Sequence, residues 1–333
     1  MKNKLITLLN YLKRLLQKTF VIFQVQGIFY TVQRIAMFLF HKLFKLSNMN
    51  EINYSGDYLS RYKIFQYEDK FKLKEDFNPF VTIIIPTKDN IALLEKAVAS
   101  AQNNTHNNYE LIIINNNSSQ KDSFTYFEKL KQEKNIKILD HNVKFNFAEI
   151  NNFAVEHSKG ELLLFLNNDV ESLNSDWLEK IVEKFQDPEV GIVGTELLYP
   201  DHTIQHAGVA YFNENLSNVT QHLFSKMNEV EFNKYLNFNR KVSGVTGACL
   251  MIRKSDFISI GNFDENLSIV YQDLDLCFKI LEKNKLIIFI TDSKLIHYES
   301  ATRKKDFSAE EFQNWLYFVK KWRRKLITSD PYA

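Results

Sequence analysis

An apolar run, Leu162 to Leu166, stops at three polar residues, Asn167, Asn168 and Asp169, in "ELLLFLNNDVES". A carboxylate at the mouth of a buried strand is a hard oxygen donor of the kind that Mg²⁺ or Mn²⁺ prefers. The same residue type also caps a helix or closes a turn. A second apolar run ends in His297. Imidazole is a common metal ligand, although a lone histidine in such a place is more often structural. Two further carboxylates, Asp273 and Asp275, open a helical pattern in "YQDLDLCFKI". Carboxylates there either complement the helix dipole or serve as a general base. Leu274, Cys277, Phe278 and Leu281 mark the buried side of this helix. That phase puts Asp273 toward the core, near Leu276, Cys277 and Ile280, and puts Asp275 on the face of Lys279 and Glu282.

The elements that must position these groups follow from periodicity. "FVTIIIPT" (80–87) and "ELIII" (110–114) are short β-branched runs, hence buried strands. Helical spacing recurs over 90–103, 122–133, 147–158 and 174–186. "IKIL" and "ELLLFL" are further strands. Short strands and turns fill 190–252. A helix over 272–283, two short strands over 286–297 and a helix over about 308–325 follow, the last opened by a capping box of Ser308 and Glu311. Strands alternating with helices predict a doubly wound, mostly parallel α/β sheet covered on both faces. Ligands bind such sheets at the carboxyl ends of the strands.

The chain has 333 residues and a net charge of +2. Its first 50 residues hold eight Lys and Arg and no acidic residue, so the remainder is net acidic. A local basic tail fits this better than a nucleic-acid protein with basic faces throughout. Cys249 and Cys277 belong to no CxxC pair; they are expected as buried free thiols, and a zinc site is excluded. Neither GxxxxGK[ST] nor a GxGxxG after the first strand occurs, which argues against a P-loop enzyme or a dehydrogenase. A nucleotide bound here needs another way to neutralise phosphate, and a carboxylate-held divalent cation supplies one.

Eight segments in order resemble a family 2 glycosyltransferase of the GT-A fold, over about residues 80–303, in a bacterial cell-surface polysaccharide, rhamnosyltransferase-like branch. They are "VTIIIPTKDN", "ELIIINNNSS", "KFNFAEINNFAVEHSKGELLLFLNNDVE", "YPDHTIQHAGV", "VTGACLMIRK", "GNFDENL", "YQDLDLCFKI" and "HYESATR". The resemblance implies that Asp169 and His297 bind Mn²⁺ or Mg²⁺ and that Asp273 is the catalytic base. It implies donor-nucleotide contacts from Pro86, Thr87, Asn115, Asn117, Asn146 and Asn167, and acceptor or sugar contacts from His206, Gly247, Asp275 and Arg303. Asn167 stands where a strict DxD motif has its first Asp, and Asn115 where many members have a base- or ribose-reading Asp. The implied donor is a UDP- or dTDP-sugar. The implied acceptor is a glycan or lipid-linked glycan.

Residues 1–50 carry Leu5, Leu8, Leu9, Leu12, Leu15 and Leu16 at helical spacing, with basic residues between. That pattern fits an amphipathic helix on an anionic membrane, and a helix packed on the protein's own core or on a partner protein fits it as well. Gln24, Gln26, Gln33 and Arg34 break the run before it reaches membrane-spanning length. Residues 51–79 are expected as a linker, 80–303 as the catalytic domain and 304–333 as a C-terminal helix and tail. The expected location is the inner face of the plasma membrane. Two rivals remain: a sugar nucleotidyltransferase, which would usually carry a Gly-rich basic loop that "PTKDNIALL" lacks, and a non-catalytic membrane-bound scaffold with a decayed transferase domain.

Overall fold

The structure, a computed structural model, describes residues 65–68, 76–211, 220–222, 226–298, 308–326 and 330. Arg303 and the basic segment 1–50 lie outside the described residues. The strands are β1 (Phe65–Gln66), β2 (Val81–Thr87), β3 (Tyr109–Asn115), β4 (Ile136–Asp140), β5 (Leu162–Leu166), β6 (Val170–Ser172), β7 (Val190–Leu198), β8 (Ile204–His206), β9 (Val209–Tyr211), β10 (Thr220–His222), β11 (Arg240–Lys241), β12 (Cys249–Arg253) and β13 (Leu286–His297). The helices are α1 (Ile91–Gln102), α2 (Lys121–Leu130), α3 (Phe147–Glu156), α4 (Trp177–Glu183), α5 (Glu229–Leu236), α6 (Lys254–Ser259), α7 (Gln272–Glu282), α8 (Ala309–Lys321) and α9 (Arg323–Leu326).

One large sheet runs β1-β11-β13-β7-β12-β5-β2-β3-β4. β5, β2, β3 and β4 pair in parallel, as do β7 and β13. β12 separates the two sets and runs antiparallel to both neighbours. The six long strands around β12 therefore point the same way, and their carboxyl ends form one edge. Alternation along β2 and β5 feeds two cores. Val81, Ile83, Ile85, Leu162, Leu164 and Leu166 pack with Leu94, Val98, Phe127 and Trp177 from α1, α2 and α4. Ile84, Leu163 and Phe165 pack on the other face with Ile150, Phe257, Leu276 and Ile280 from α3, α6 and α7.

Several expectations change at the ends of the domain. The last sheet segment is one twelve-residue strand, β13, with a register shift between Ile290 and Lys294, rather than two short strands. The run over 190–252 contains a nine-residue strand and the helix α5. Part of the expected linker belongs to the domain: β1 extends the sheet through β11, and buried Tyr67 donates to Asp187 Oδ2 at 3.1 Å. The C-terminal helix is also part of the fold. α8, opened by the Ser308–Glu311 capping box, packs Phe312, Trp315 and Phe318 against Leu274 and Phe278 of α7. Cys249 and Cys277 are buried and free, with burial pushing both thiols up.

Candidate active site

The parallel strands deliver their polar termini to one edge, and the sequence there sets what each terminus offers. Thr87 ends β2, Asn115 ends β3 and Asp140 ends β4, in register across three neighbouring strands. Asn115 is nearly fully buried; its Nδ2 donates to Asp140 Oδ1 at 2.7 Å and its Oδ1 accepts from Ser118 N at 3.0 Å. Both ends of the Asn115 amide are thus engaged, and the exposed carboxylate at this edge belongs to Asp140, which the sequence reading passed over. Thr87 Oγ1 accepts from Asn168 Nδ2 at 3.1 Å. Pro86 is half-buried beside it. Asn117 adopts φ 60°, the left-handed region, and donates to Val143 O at 2.7 Å. Asn146 is the N-cap of α3, accepting from Glu149 N at 3.2 Å and donating to Glu265 O. Its amide is a structural fitting rather than a free donor contact.

Asp89 and Asn90 also adopt positive φ. The Asp89 carboxylate accepts from the backbone N–H of Ser119 and Gln120 at 2.8 and 2.9 Å, which ties the loop after β2 to the loop after β3. Burial works against the charge, but these donors hold the Asp89 carboxyl below its usual range.

The second half of the edge carries Asp169 and His297. Because β13 runs parallel to β5 with β6 folded back on it, Val170 pairs with His297, and the residue before Val170 reaches the imidazole. Asp169 Oδ1 lies 3.1 Å from His297 Nε2. The ring is nearly buried and held on three sides. Its Nδ1 lies 2.5 Å from Gln205 Oε1, Gln205 Nε2 donates to the His297 carbonyl at 3.2 Å, and Asn167 Nδ2 lies 3.3 Å from Nε2. Below it, Tyr298 and Lys96 both reach Glu171 Oε2, at 2.5 and 2.7 Å, and Lys96 first, then Tyr298, hold the Glu171 carboxyl down. Glu171 and Tyr298 stand inside motifs already quoted, "NNDVE" and "HYES", but only the fold shows that they meet.

These residues fit a divalent cation. Asp169 Oδ1 is buried and accepts no hydrogen bond, an orphaned anionic oxygen facing an imidazole nitrogen. A carboxylate oxygen and an imidazole nitrogen suit Mn²⁺. No group of three or more His, Cys, Asp or Glu converges among the described residues; Asp169 and His297 are the pair there that would hold a cation.

Asp273 stands across the Gly247–Ala248 turn. Its Oδ2 accepts from Gly247 N at 3.0 Å and its Oδ1 from Leu274 N at 2.8 Å. Ala248 O in turn accepts from Asn167 N at 3.0 Å, so one turn links Asp273 to the Asn167–Asp169 segment. Tyr271, the N-cap of α7, sits at φ 71° with its ring stacked 4.9 Å from Phe318. A bulky residue in that conformation is held there by its surroundings, a pattern that clusters at functional sites.

Three sequence expectations are corrected. Asp275 is fully buried while Asp273 is half-buried, the reverse of the sequence phase, because α8 covers the face read as polar. Asp275 accepts from Trp322 Nε1 at 2.8 Å and pairs with Lys321 and Lys279 at 2.7 and 3.0 Å, so it braces helices and faces no sugar. His206 is buried, and Thr246 N donates to its Nε2 at 3.4 Å, which again leaves no acceptor contact.

Residues 82–261, more than half of the chain, match the domain described as Glycosyl transferase family 2. The chain belongs to that family. It is 34% identical over 259 residues to the O-antigen biosynthesis protein RfbC of Myxococcus xanthus, a match covering 76% of this chain and 20% of that protein. The chain thus spans about a fifth of that relative's length. Among solved structures, GalNAc-T7 with UDP, GalNAc and Mn²⁺ aligns with a TM-score of 0.60 at 15% identity over 74% of this chain and 50% of its own. The mannosyltransferase PcManGT of Pyrobaculum calidifontis, in complex with GDP-Man and Mn²⁺, aligns at 0.54 and 13% identity over 94% of this chain and 77% of its own. Both carry the GT-A fold, and the α/β architecture of this glycosyltransferase domain is the same.

Proposed function

We propose that this family 2 domain moves a sugar from a nucleotide-diphosphate sugar to a hydroxyl of a growing cell-surface glycan, with inversion at the anomeric carbon. The observation that carries the reading is the orphaned Asp169 oxygen, 3.1 Å from His297 Nε2, at the carboxyl edge of a sheet in a chain of this family. Asp169 and His297 would hold Mn²⁺ or Mg²⁺. A divalent cation there supplies positive charge to the oxygens of a leaving diphosphate. Thr87, Asn115, Asp140 and Asn117 form the row that faces the nucleotide, with the Asp140 carboxylate able to accept a base N–H.

Asp273 is the base. It takes the proton from the acceptor hydroxyl as that oxygen bonds to the anomeric carbon, and the bond from that carbon to the diphosphate breaks on the opposite face. The Gly247 and Leu274 N–H groups hold the carboxylate in one orientation, which places the base before the acceptor arrives. The acceptor would be lipid-linked at the inner membrane face: the O-antigen biosynthesis name of the RfbC relative supports a cell-surface glycan, and the basic segment 1–50, which lies outside the described residues, supports a membrane location. Among the described residues no helix is long and apolar enough to cross a membrane.

Incubating the chain with a panel of UDP-, dTDP- and GDP-sugars, Mn²⁺ and a lipid-linked glycan tests the reading by release of nucleoside diphosphate. Release from at least one donor is expected. Tight nucleotide binding without release from any donor would leave a binding scaffold in place of an enzyme, and release of pyrophosphate from a nucleoside triphosphate and a sugar phosphate would identify a nucleotidyltransferase.

A further inference from the structure

We infer that Gln205 is a positioning residue that decides which nitrogen of His297 faces Asp169. The inference rests on the metal-dependent reading above, but it concerns the protein's own hydrogen bonds. Gln205 lies on β8, which pairs antiparallel with β7: Ile204 opposes Leu198 and His206 opposes Leu197. Two residues of β7 therefore face three of β8, and Gln205 is the extra one, a β-bulge. Bulges re-aim a side chain out of the regular alternation and recur beside active sites. Here the bulge turns Gln205 toward the end of β13, where it is nearly buried against His297.

The orientation of the Gln205 amide is fixed by what surrounds it. Nε2 is the end that can donate, and it donates to the His297 carbonyl oxygen at 3.2 Å. Oε1 must then be the end 2.5 Å from His297 Nδ1, and a carbonyl oxygen only accepts. Nδ1 therefore carries the hydrogen in the neutral ring, and Nε2 carries the lone pair. The Asn167 amide nitrogen, 3.3 Å from Nε2, is a donor matched to that lone pair.

The consequence lies on the other side of the ring. A lone pair on Nε2 faces the Asp169 Oδ1 lone pairs at 3.1 Å, and that oxygen accepts no hydrogen bond. Two acceptors held this close repel unless a cation lies between them. In the opposite tautomer Nε2 would carry the hydrogen, and the ring would have no lone pair to offer a cation beside Oδ1. Gln205 selects the open arrangement, as outer partners of ligating histidines do when they fix tautomer and ring orientation.

The test compares wild type, Gln205→Leu and Gln205→Glu, each checked for wild-type-like thermal unfolding. Two quantities are read: the His297 ring ¹⁵N pattern of metal-free, histidine-labelled protein, assigned by its loss in His297→Asn, and Mn²⁺ affinity by calorimetry in the presence of UDP. Wild type is expected to show a protonated Nδ1 and a bare Nε2. Gln205→Leu should lose that tautomer and bind Mn²⁺ about 10–100-fold more weakly. Gln205→Glu keeps an acceptor for Nδ1–H and should retain both properties. A wild-type ring protonated at Nε2, or a Gln205→Leu protein with the wild-type ring pattern and Mn²⁺ affinity, overturns the inference. A wild-type ring with bare Nε2 in a protein that binds no Mn²⁺ supports the Gln205 assignment and overturns the metal reading instead.

Discussion

Asp275 Oδ1 accepts from the indole Nε1 of Trp322 at 2.8 Å, and this contact separates the roles of two carboxylates that stand two residues apart. Asp275 faces α8, fully buried among Lys279, Lys321 and Trp322, and Asp273 faces the Gly247 turn at the sheet edge. Asp273→Asn keeps the shape and one of the two backbone contacts, since only one end of the amide accepts, and it cannot take a proton. It should lower turnover by about 10²–10⁴-fold and leave donor binding within a few-fold of wild type. Steady-state kinetics with nucleotide titrations check this, and normal turnover in Asp273→Asn would remove it as the base.

Asp275→Asn should show the opposite profile. The neutral amide still accepts from Trp322, but Lys279 and Lys321 lose a buried counter-charge. Thermal or denaturant unfolding should show a loss of about 1–3 kcal/mol, with turnover largely kept in the folded fraction. A variant as stable as wild type but inactive would make Asp275, not Asp273, the chemical group.

Asp140→Asn tests the nucleotide row. Asn115 Nδ2 can still donate to the new side-chain oxygen, so the fold at the strand ends is preserved. A charged acceptor for a base N–H is lost, and nucleoside diphosphate affinity should fall about tenfold. Unchanged affinity by calorimetry would show that the base is read elsewhere.

The order of the sheet and the identity of the cluster at its edge were unequally legible in the sequence. β-branched runs and helical spacing located β2, β3, β5 and α1–α4, because each buries a face whose period is local. The Ser308–Glu311 capping box was equally local. The antiparallel insertion of β12 between β5 and β7 was not legible, since nothing within "CLMIR" specifies strand direction. The phase of α7 misled because its polar-looking face is covered by α8, more than thirty residues later in the chain. Asp169, His297 and Asp273 are singled out by motif resemblance alone. Gln205 was missed because a bulge, which no side-chain period reveals, aims it inward.

Glu196 gives the fold a pH dependence away from the site. It lies on β7, wholly buried, with neither oxygen hydrogen-bonded; Lys294 Nζ is 3.4 Å away, and Glu229 and Arg240 are the other charges that act on it. Burial, against the pull of Lys294, raises its carboxyl from 4.5 to about 7. Between those values the native state binds more protons than the unfolded chain, so this group lowers stability as pH rises through the window and adds no further change above it. Glu196→Gln should therefore gain stability relative to wild type from pH 5 to 8, approaching about 3 kcal/mol. A difference in unfolding free energy that stays constant with pH would contradict this.

The basic segment 1–50 should bring the chain to anionic membranes. Each basic residue close to such a surface contributes on the order of 1 kcal/mol before screening. Sedimentation with anionic vesicles should fall sharply as salt rises or when the segment is removed. Equal sedimentation with and without it would contradict the assignment.

The most direct test of the account is calorimetry of nucleoside diphosphate binding with and without Mn²⁺, in wild type, Asp169→Ala and His297→Ala. Wild type should bind UDP, dTDP or GDP far more tightly with Mn²⁺. Asp169→Ala should lose the metal-dependent part entirely, and His297→Ala should weaken it. If Asp169→Ala binds with the same affinity and the same Mn²⁺ dependence as wild type, the carboxylate is only a turn residue, and the metal-assisted donor site proposed here does not exist.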